Sequence, residues 1–278
     1  MLGHPQPDWR GLYSSAGRSR LYFQGLIRPP EVFPSRPTCP AGAQTSHYSV
    51  IELSHVTVSY ETPENTRRVV LDNVSLRVER GELIYLVGPT GSGKSSLLKL
   101  LNMEQQPDKG VVRVADASSD TIKPADIPYL RRSLGIVFQD FQLLPDRNVF
   151  DNVAFAQYVT GHRGKAVKSK VLHVLSRVGL SHKRRQYPHQ LSGGEQQRVV
   201  IARAIINDPW IILADEPTGN LDPTVADEIQ RLLIGLHRSG MTVVMATHDY
   251  RLVRSFPART LAVMNRQIVE VDPRSLKG

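Results

Sequence analysis

The sequence predicts an α/β fold organised around one anion-binding turn. Three observations predict it. Gly88-Pro89-Thr90-Gly91-Ser92-Gly93-Lys94-Ser95 reads G-x-x-x-x-G-K-[ST], a phosphate-binding loop. The apolar run 83–87 before it has the length of a buried strand, and residues 95–101 after it read as a helix start. Further apolar runs of strand length, at 134–138, 210–214 and 241–246, are separated by stretches of helical composition.

The loop fixes the chemistry to look for. Gly88, Gly91 and Gly93 let the backbone turn tightly, so successive N–H groups point into one concavity. The following helix offers its unpaired N–H groups and positive dipole end to the same anion. Lys94 is placed to reach the β- and γ-phosphates of a nucleotide, and the Ser95 hydroxyl to hold Mg²⁺. The expected cradle runs from Gly88 to Ser96.

Composition sets bounds. A chain of 278 residues with 40% hydrophobic content can bury a sizeable core. The single cysteine, Cys39, excludes an internal disulfide and a cysteine-based metal site. A net charge of +9 suggests a polyanionic partner: nucleotide, nucleic acid or an anionic membrane surface. No apolar run approaches the roughly 18 residues that span a bilayer, and no apolar signal-peptide core opens the chain. The expectation is a cytoplasmic protein reaching the membrane through a partner or a surface patch. Residues 1–46, punctuated by Pro5, Pro7, Pro29, Pro30, Pro34, Pro37 and Pro40, show no periodicity and read as a disordered extension. The globular domain is expected over 47–278.

In chain order, residues 50–53 and 56–60 have strand composition, as do 69–71 and 74–78, with Asp72-Asn73 between them read as a turn. Tyr60 sits at a strand end, where it either stacks on an adenine ring or is a plain half-buried strand tyrosine. A turn at 107–110 leads into a strand at 111–114, and 129–132 end a short helix. The strand at 134–138 ends at Gln139, and residues 148–158 have helical composition. Residues 165–179 form an amphipathic helix with Val167, Val171, Val174, Leu175 and Val178 on one face and Gly179 as its stop. Leu191-Ser192-Gly193-Gly194-Glu195 opens another helix. Ser192 is a natural N-cap with Glu195 three residues on, a capping box, and the Gly193 and Gly194 amides offer a second anion site. The strand at 210–214 ends in Asp215 and Glu216. Two carboxylates there are costly unless they serve something; Asp215 fits a Mg²⁺-organising acid and Glu216 a water-polarising base. Residues 224–237 are helical, 241–246 a strand, and His248 follows it as either a γ-phosphate donor or an ordinary loop histidine. Residues 261–264 and 267–269 suggest a closing hairpin.

Taken together, Tyr60, the phosphate loop, Gln139, Leu191-Ser-Gly-Gly-Glu-Gln-Gln-Arg198, Asp215-Glu216 and His248 resemble the nucleotide-binding domain of ATP-binding cassette (ABC) ATPases, over about residues 49–272. The resemblance implies a P-loop NTPase with a RecA-like core, an antiparallel β subdomain and an α-helical subdomain at about 140–190. It implies that Tyr60 stacks on adenine, and that Gln139 touches Mg²⁺ and the attacking water. It makes Lys94, Glu216 and His248 catalytic, with Asp215 on the metal and Asp222 at a dimer interface. In this family the signature, here Ser192 to Glu195, acts on the phosphate loop of a second subunit, which implies a head-to-tail homodimer holding two ATP molecules.

Val137 to Ala154, with its Leu-Pro-Asp-Arg turn, resembles the cell-division branch of the family. That resemblance implies an FtsX-like integral membrane partner, cell-wall hydrolase activation at the division site, and a place on the cytoplasmic side of the cell membrane. An ATPase powering lipoprotein release or efflux shares the same catalytic residues. A soluble ABC ATPase acting on nucleic acid or ribosomes would suit the basic charge but usually has two cassettes or a coiled-coil insertion, and neither is visible; nucleic acid is therefore not the expected partner. Between Asn152 and Gly194 there are no acids, while Arg163, Lys165, Lys168, Lys170, Arg177, Lys183, Arg184 and Arg185 are basic. This stretch either faces anionic lipid or an acidic partner loop, or is a solvated face.

Overall fold

The computed structural model describes residues 49–61, 63 and 65–276. The expected extension over residues 1–46 lies outside them.

The described residues begin with an antiparallel sheet. Strand β1 (Ser49–Glu61) pairs with β2 (Arg67–Glu79) on one edge and with β4 (Lys109–Val114) on the other; β5 (Ala117–Ser118) completes the order β2-β1-β4-β5. The expected turn at Asp72-Asn73 is instead a bulge inside a continuous β2. Asn73 takes a left-handed φ of 50°, a conformation asparagine tolerates. Its N–H donates to the Thr57 hydroxyl (3.1 Å), and the Asp72 N–H donates to the Arg266 carbonyl (2.8 Å). Both donors are met away from the regular ladder, so the strand continues. Opposite it, β1 carries its own register shifts around His55, whose φ is 53°.

Gly110 is where β4 crosses that irregular part of β1. Its φ is +82°, and a Cβ there would lie 2.3 Å from the His55 carbonyl oxygen and 2.4 Å from that of Ser54. Backbone cannot yield as a side-chain tip can. Gly110→Ala is expected to destabilise the protein by about 3 kcal/mol, and a urea titration followed by circular dichroism checks it.

The second sheet has the order β10-β9-β3-β8-β7-β6. Its strands are β3 (Leu83–Val87), β6 (Leu134–Val137), β7 (Ile211–Asp215), β8 (Thr242–Ala246), β9 (Arg259–Met264) and β10 (Gln267–Val271). All neighbouring pairs are parallel except β9 with β10. β3 and β8 are buried at every residue, which is why they read as unbroken apolar runs rather than alternating ones. Alternate residues feed two cores. Ile84 and Leu86 pack with Leu213, Val244 and Leu261 against the antiparallel sheet and the helix α1 (Lys94–Leu101). Tyr85 and Val87 pack on the other face with Ile212, Ala214, Val243 and Met245.

α2 (Ile127–Ser133) leads into β6 and buries Leu130 in the first core. The other helices cover the second face: α3 (Val149–Val159), α4 (Lys165–Arg177) and α5 (Gly193–Ile205) follow β6; α6 (Pro223–Arg238) joins β7 to β8, and α7 (Tyr250–Ser255) follows β8. In α4, Val167, Val171, Val174 and Leu175 are the buried residues. In α3, the buried Asn152 acts as a hub. Its amide accepts from the Leu144 N–H (2.8 Å) and donates to the carbonyls of Leu144, Arg147 and Asn148. One side chain thus holds the Leu-Pro-Asp-Arg turn that follows β6.

The carboxyl ends of β3, β7 and β8 lie side by side, with Asp215 opposite Ala246 and Leu86 opposite Ala246 from the other side. Ligand sites of open α/β sheets form at such ends.

Candidate active site

The loop after β3 wraps a cavity of about 290 Å³ lined by Tyr60, Arg68, Val70, Gly91, Gly93, Lys94, Ser95 and Ser96. Two glycines make the wrap possible. A Cβ on Gly88 would lie 2.6 Å from the Val263 carbonyl oxygen, and one on Gly93 2.8 Å from Val70 Cγ1, with φ at +149° and +115°. Pro89 and Thr90 form the exposed crest of the loop, closed by a bond from the Ser92 N–H to the Pro89 carbonyl (3.2 Å).

Lys94 is 6% exposed. Its ammonium curls into the loop, donating to the carbonyls of Gly88 (2.8 Å) and Pro89 (3.2 Å), and sits 3.7 Å from Glu216 Oε1. It therefore stands at the floor of the concavity where the amides converge.

Asp215 ends β7. Burial pushes its carboxyl above the usual carboxylate range; a hydrogen bond from the Ser95 hydroxyl works against this, and the charge of Glu216 adds to it. Its Oδ1 is buried with no hydrogen-bond partner among the described residues. A buried carboxylate oxygen left open beside a serine hydroxyl fits a divalent, oxygen-seeking cation that takes one or two protein ligands and fills its remaining positions with water and phosphate. The described residues hold no group of three or more His, Cys, Asp or Glu suited to a metal.

Glu216 takes φ of 46°, unusual for a non-glycine residue. The turn is fixed on both sides: its N–H donates to the Ala246 carbonyl (2.9 Å) and its carbonyl accepts from Gly219 (3.1 Å). The carboxylate is thereby aimed between β7 and β8. Its Oε2 accepts from the His248 N–H (3.3 Å) and lies 2.8 Å from His248 Nδ1. The sequence placed Lys94 in the phosphate loop and Glu216 and His248 after two other strands; the fold brings them into one chain of contacts. Gln139, just past β6, is exposed over the same turn: its Nε2 lies 3.9 Å from where a Cβ on Gly219 would be.

Tyr60 lines the cavity and is 39% exposed. Its hydroxyl donates to Gln105 Oε1 and lies 3.0 Å from the Ser96 hydroxyl, which can donate back to it. Gln105 escaped the sequence reading, because nothing local marks a glutamine 45 residues away as an anchor for this ring.

The signature stretch stands apart. Ser192 caps α5 in the expected box: its hydroxyl accepts from the Glu195 N–H (3.3 Å), and Glu195 Oε2 accepts from the Ser192 N–H (2.9 Å). That backbone bond, with Lys183 3.2 Å away, holds the Glu195 carboxyl below its usual range. A Cβ on Gly194 would lie 2.3 Å from Val225 Cγ1, so α5 and α6 touch there. Gly193 faces Leu221, next to Asp222. Asp222 caps α6, accepting from the N–H groups of Thr224 (3.1 Å) and Val225 (3.2 Å). Among the described residues no hydrogen bond or ion pair joins Ser192–Glu195 to the phosphate loop of the same chain.

The family model for ABC transporters matches residues 71–219, from within β2 through the phosphate loop and the signature to the turn after Glu216. The chain belongs to the ABC transporter family. Like other members this ABC protein is an ATPase, and its relatives are of the cell-division type. It is 44% identical over 229 residues to the cell division ATP-binding protein FtsE of Bacillus subtilis, covering 82% of this chain and 99% of that one. The FtsE of Escherichia coli is 42% identical over 215 residues, covering 77% and 95%. Among solved structures, a dimeric ATP-binding cassette in a post-hydrolysis state bound to ADP and Pi matches with a TM-score of 0.72 at 34% identity, over 81% of this chain and all of that one.

Proposed function

We propose that this ATPase hydrolyses MgATP as a head-to-tail homodimer and drives an FtsX-like integral membrane protein that regulates cell-wall hydrolysis in division. The observation that carries the catalytic part is the contact chain Lys94–Glu216–His248 beside the open oxygen of Asp215. ATP binds with its phosphates on the amides of Gly88 to Ser96 and its adenine against Tyr60. Lys94 neutralises phosphate charge. Ser95, Asp215 and Gln139 hold Mg²⁺, which when bound offsets charge on the phosphate oxygens. Glu216 takes the proton of the attacking water, and His248, held on its carboxylate, orients that base and faces the γ-phosphate. Ser192 to Glu195 completes the site of the second copy, with Asp222 and its turn at the interface; the lack of a bond between signature and phosphate loop within one chain supports this, as does the dimeric form of the related cassette.

The partner reading rests on the relatives' names and on the helical region. A groove of about 660 Å³ is lined by Asn148, Phe150, Lys168, Leu172, Arg184 and Arg185. Lys170 is engaged by Asp208 (2.8 Å) and Lys183 by Glu195, whereas Lys168, Arg184 and Arg185 have no acidic partner among the described residues and line the groove together. An acidic partner loop or anionic headgroups match it. Among the described residues no helix is long and apolar enough to cross a membrane; the proposed place at the cytoplasmic face rests on the membrane partner.

Detergent pull-down from native membranes with mass spectrometry tests the partner. A four-span protein with a large extracytoplasmic domain is expected. A lipoprotein-release or efflux permease in its place would move the assignment to transport; nucleic acid or ribosomes alone would overturn the membrane role. Reversing Lys168, Arg184 and Arg185 to glutamate is expected to lower membrane recruitment about a hundredfold, at about 1 kcal/mol per basic residue at an anionic surface. Unchanged recruitment in a fractionation assay would dismiss the patch.

A further inference from the structure

Two cations line the nucleotide cavity, and they differ in standing. Lys94 is buried, and its charge is already met by Glu216 and two carbonyls. Arg68 is exposed on β2, and among the described residues its guanidinium has no hydrogen-bond or ion-pair partner. Its position is set by the ladder. Arg68 lies directly opposite Tyr60 across β1 and β2, so both side chains leave the same face of the sheet at neighbouring points. Val70, two residues on and therefore on that same face, packs against the phosphate loop at Gly93. Arg68 is also a wall of a second cavity, of about 330 Å³, on the outer side of the loop with Pro89, Thr90 and Ser92. The side chain thus stands between the adenine platform and the phosphate loop.

The charge balance says what it does there. The site holds Asp215 and Glu216 against the single buried cation Lys94, and a nucleoside polyphosphate adds further negative charge. Loop amides and a divalent cation offset part of it. Arg68 is the one positive charge lining the cavity that nothing in the described protein neutralises. A planar guanidinium matches the oxygens of a phosphate in two-pronged geometry. We propose that Arg68 is a nucleotide-binding residue whose guanidinium holds non-bridging phosphate oxygens of the bound nucleotide, in addition to Lys94. The inference rests on ATP occupying this cavity.

Calorimetric titration of the full chain with ADP and with the non-hydrolysable analogue AMP-PNP tests it. Arg68→Gln is expected to weaken both about ten-fold, as one charge-assisted contact would, and Arg68→Lys to recover most of the loss. The gap between wild type and Arg68→Gln should narrow as KCl rises. Dissociation constants within two-fold of wild type for both ligands would overturn the proposal. Weakening of AMP-PNP alone would confine the contact to the γ-phosphate, which ADP lacks, and would still support it. Lys94→Ala, run in parallel, separates the two readings. If it binds as wild type, the cavity is not the nucleotide site; if it fails to bind while Arg68→Gln binds normally, only the role of Arg68 falls.

Discussion

Glu216→Gln is expected to lower ATP turnover at least a hundredfold while leaving nucleotide binding intact. The size follows from what a positioned general base contributes, about 10²–10⁴-fold. The specificity follows from the geometry. The amide is nearly isosteric with the carboxylate, and its backbone stays held by Ala246 and Gly219 at the same left-handed φ. Its oxygen can face Lys94, 3.7 Å from Oε1, and its NH₂ can donate to His248 Nδ1, 2.8 Å from Oε2. Shape survives, and basicity toward water is lost. Because bound ATP is then not consumed, the closed dimer should accumulate. Light scattering after size exclusion is expected to show a dimer with ATP and a monomer with ADP. Normal turnover would remove Glu216 from the base role. A variant that is inactive yet monomeric with ATP would leave the base in place and refute the sandwich.

The strands that build the floor of this site are visible in the sequence because burial on both faces leaves them almost wholly apolar, the buried Thr242 apart. Leu83–Val87 and Thr242–Ala246 are such strands. The helix at Lys165–Arg177 is visible because only one face of it is buried. Asp72-Asn73 misleads for a physical reason. The pair has turn chemistry, but here that chemistry serves a bulge whose donors are met by Thr57 and Arg266, the latter nearly two hundred residues away. The helix Tyr250–Ser255 is too short for a periodicity to show; its one local sign is the Asp249 cap, which accepts from the Leu252 N–H at 3.1 Å.

Site residues divide in the same way. The phosphate loop and the Ser192 cap are local devices, written in consecutive residues. Contacts made by sheet order are not. Glu216 meets His248 because β7 and β8 are neighbours, and Lys94 meets Glu216 because β3 lies on the other side of β8. Tyr60 is legible as an aromatic at a strand end, but its anchor Gln105 and its cross-strand neighbour Arg68 emerge only from the register of β1 on β2 and the return of the chain after α1. Asp222 shows a residue with two readings. The family resemblance points it at an interface, while the fold also uses it as the cap of α6.

Lys94→Ala is expected to abolish measurable ATP binding at micromolar nucleotide, a loss of at least about a hundredfold, from two or more charge-assisted contacts of about 1.5 kcal/mol each. The ammonium is the only buried cation in the site. Without it Asp215 and Glu216 face the phosphates with no compensating charge at the floor of the loop, and the Gly88 and Pro89 carbonyls it satisfied point into the same space. The loop then presents oxygens as well as amides to an anion. Lys94→Arg is expected to fail as well, because a planar guanidinium is larger than the ammonium and the 6% exposure of Lys94 leaves it no room to withdraw. That second variant separates charge from shape: binding by Lys94→Arg near the wild-type level would show that positive charge alone suffices. Circular dichroism should report a folded chain for both, since the side chain contacts the loop and Glu216 rather than either hydrophobic core. Retained affinity in Lys94→Ala would mean that the nucleotide does not sit in this cavity, and the assignment of Gly88 to Ser96 as its cradle would fall.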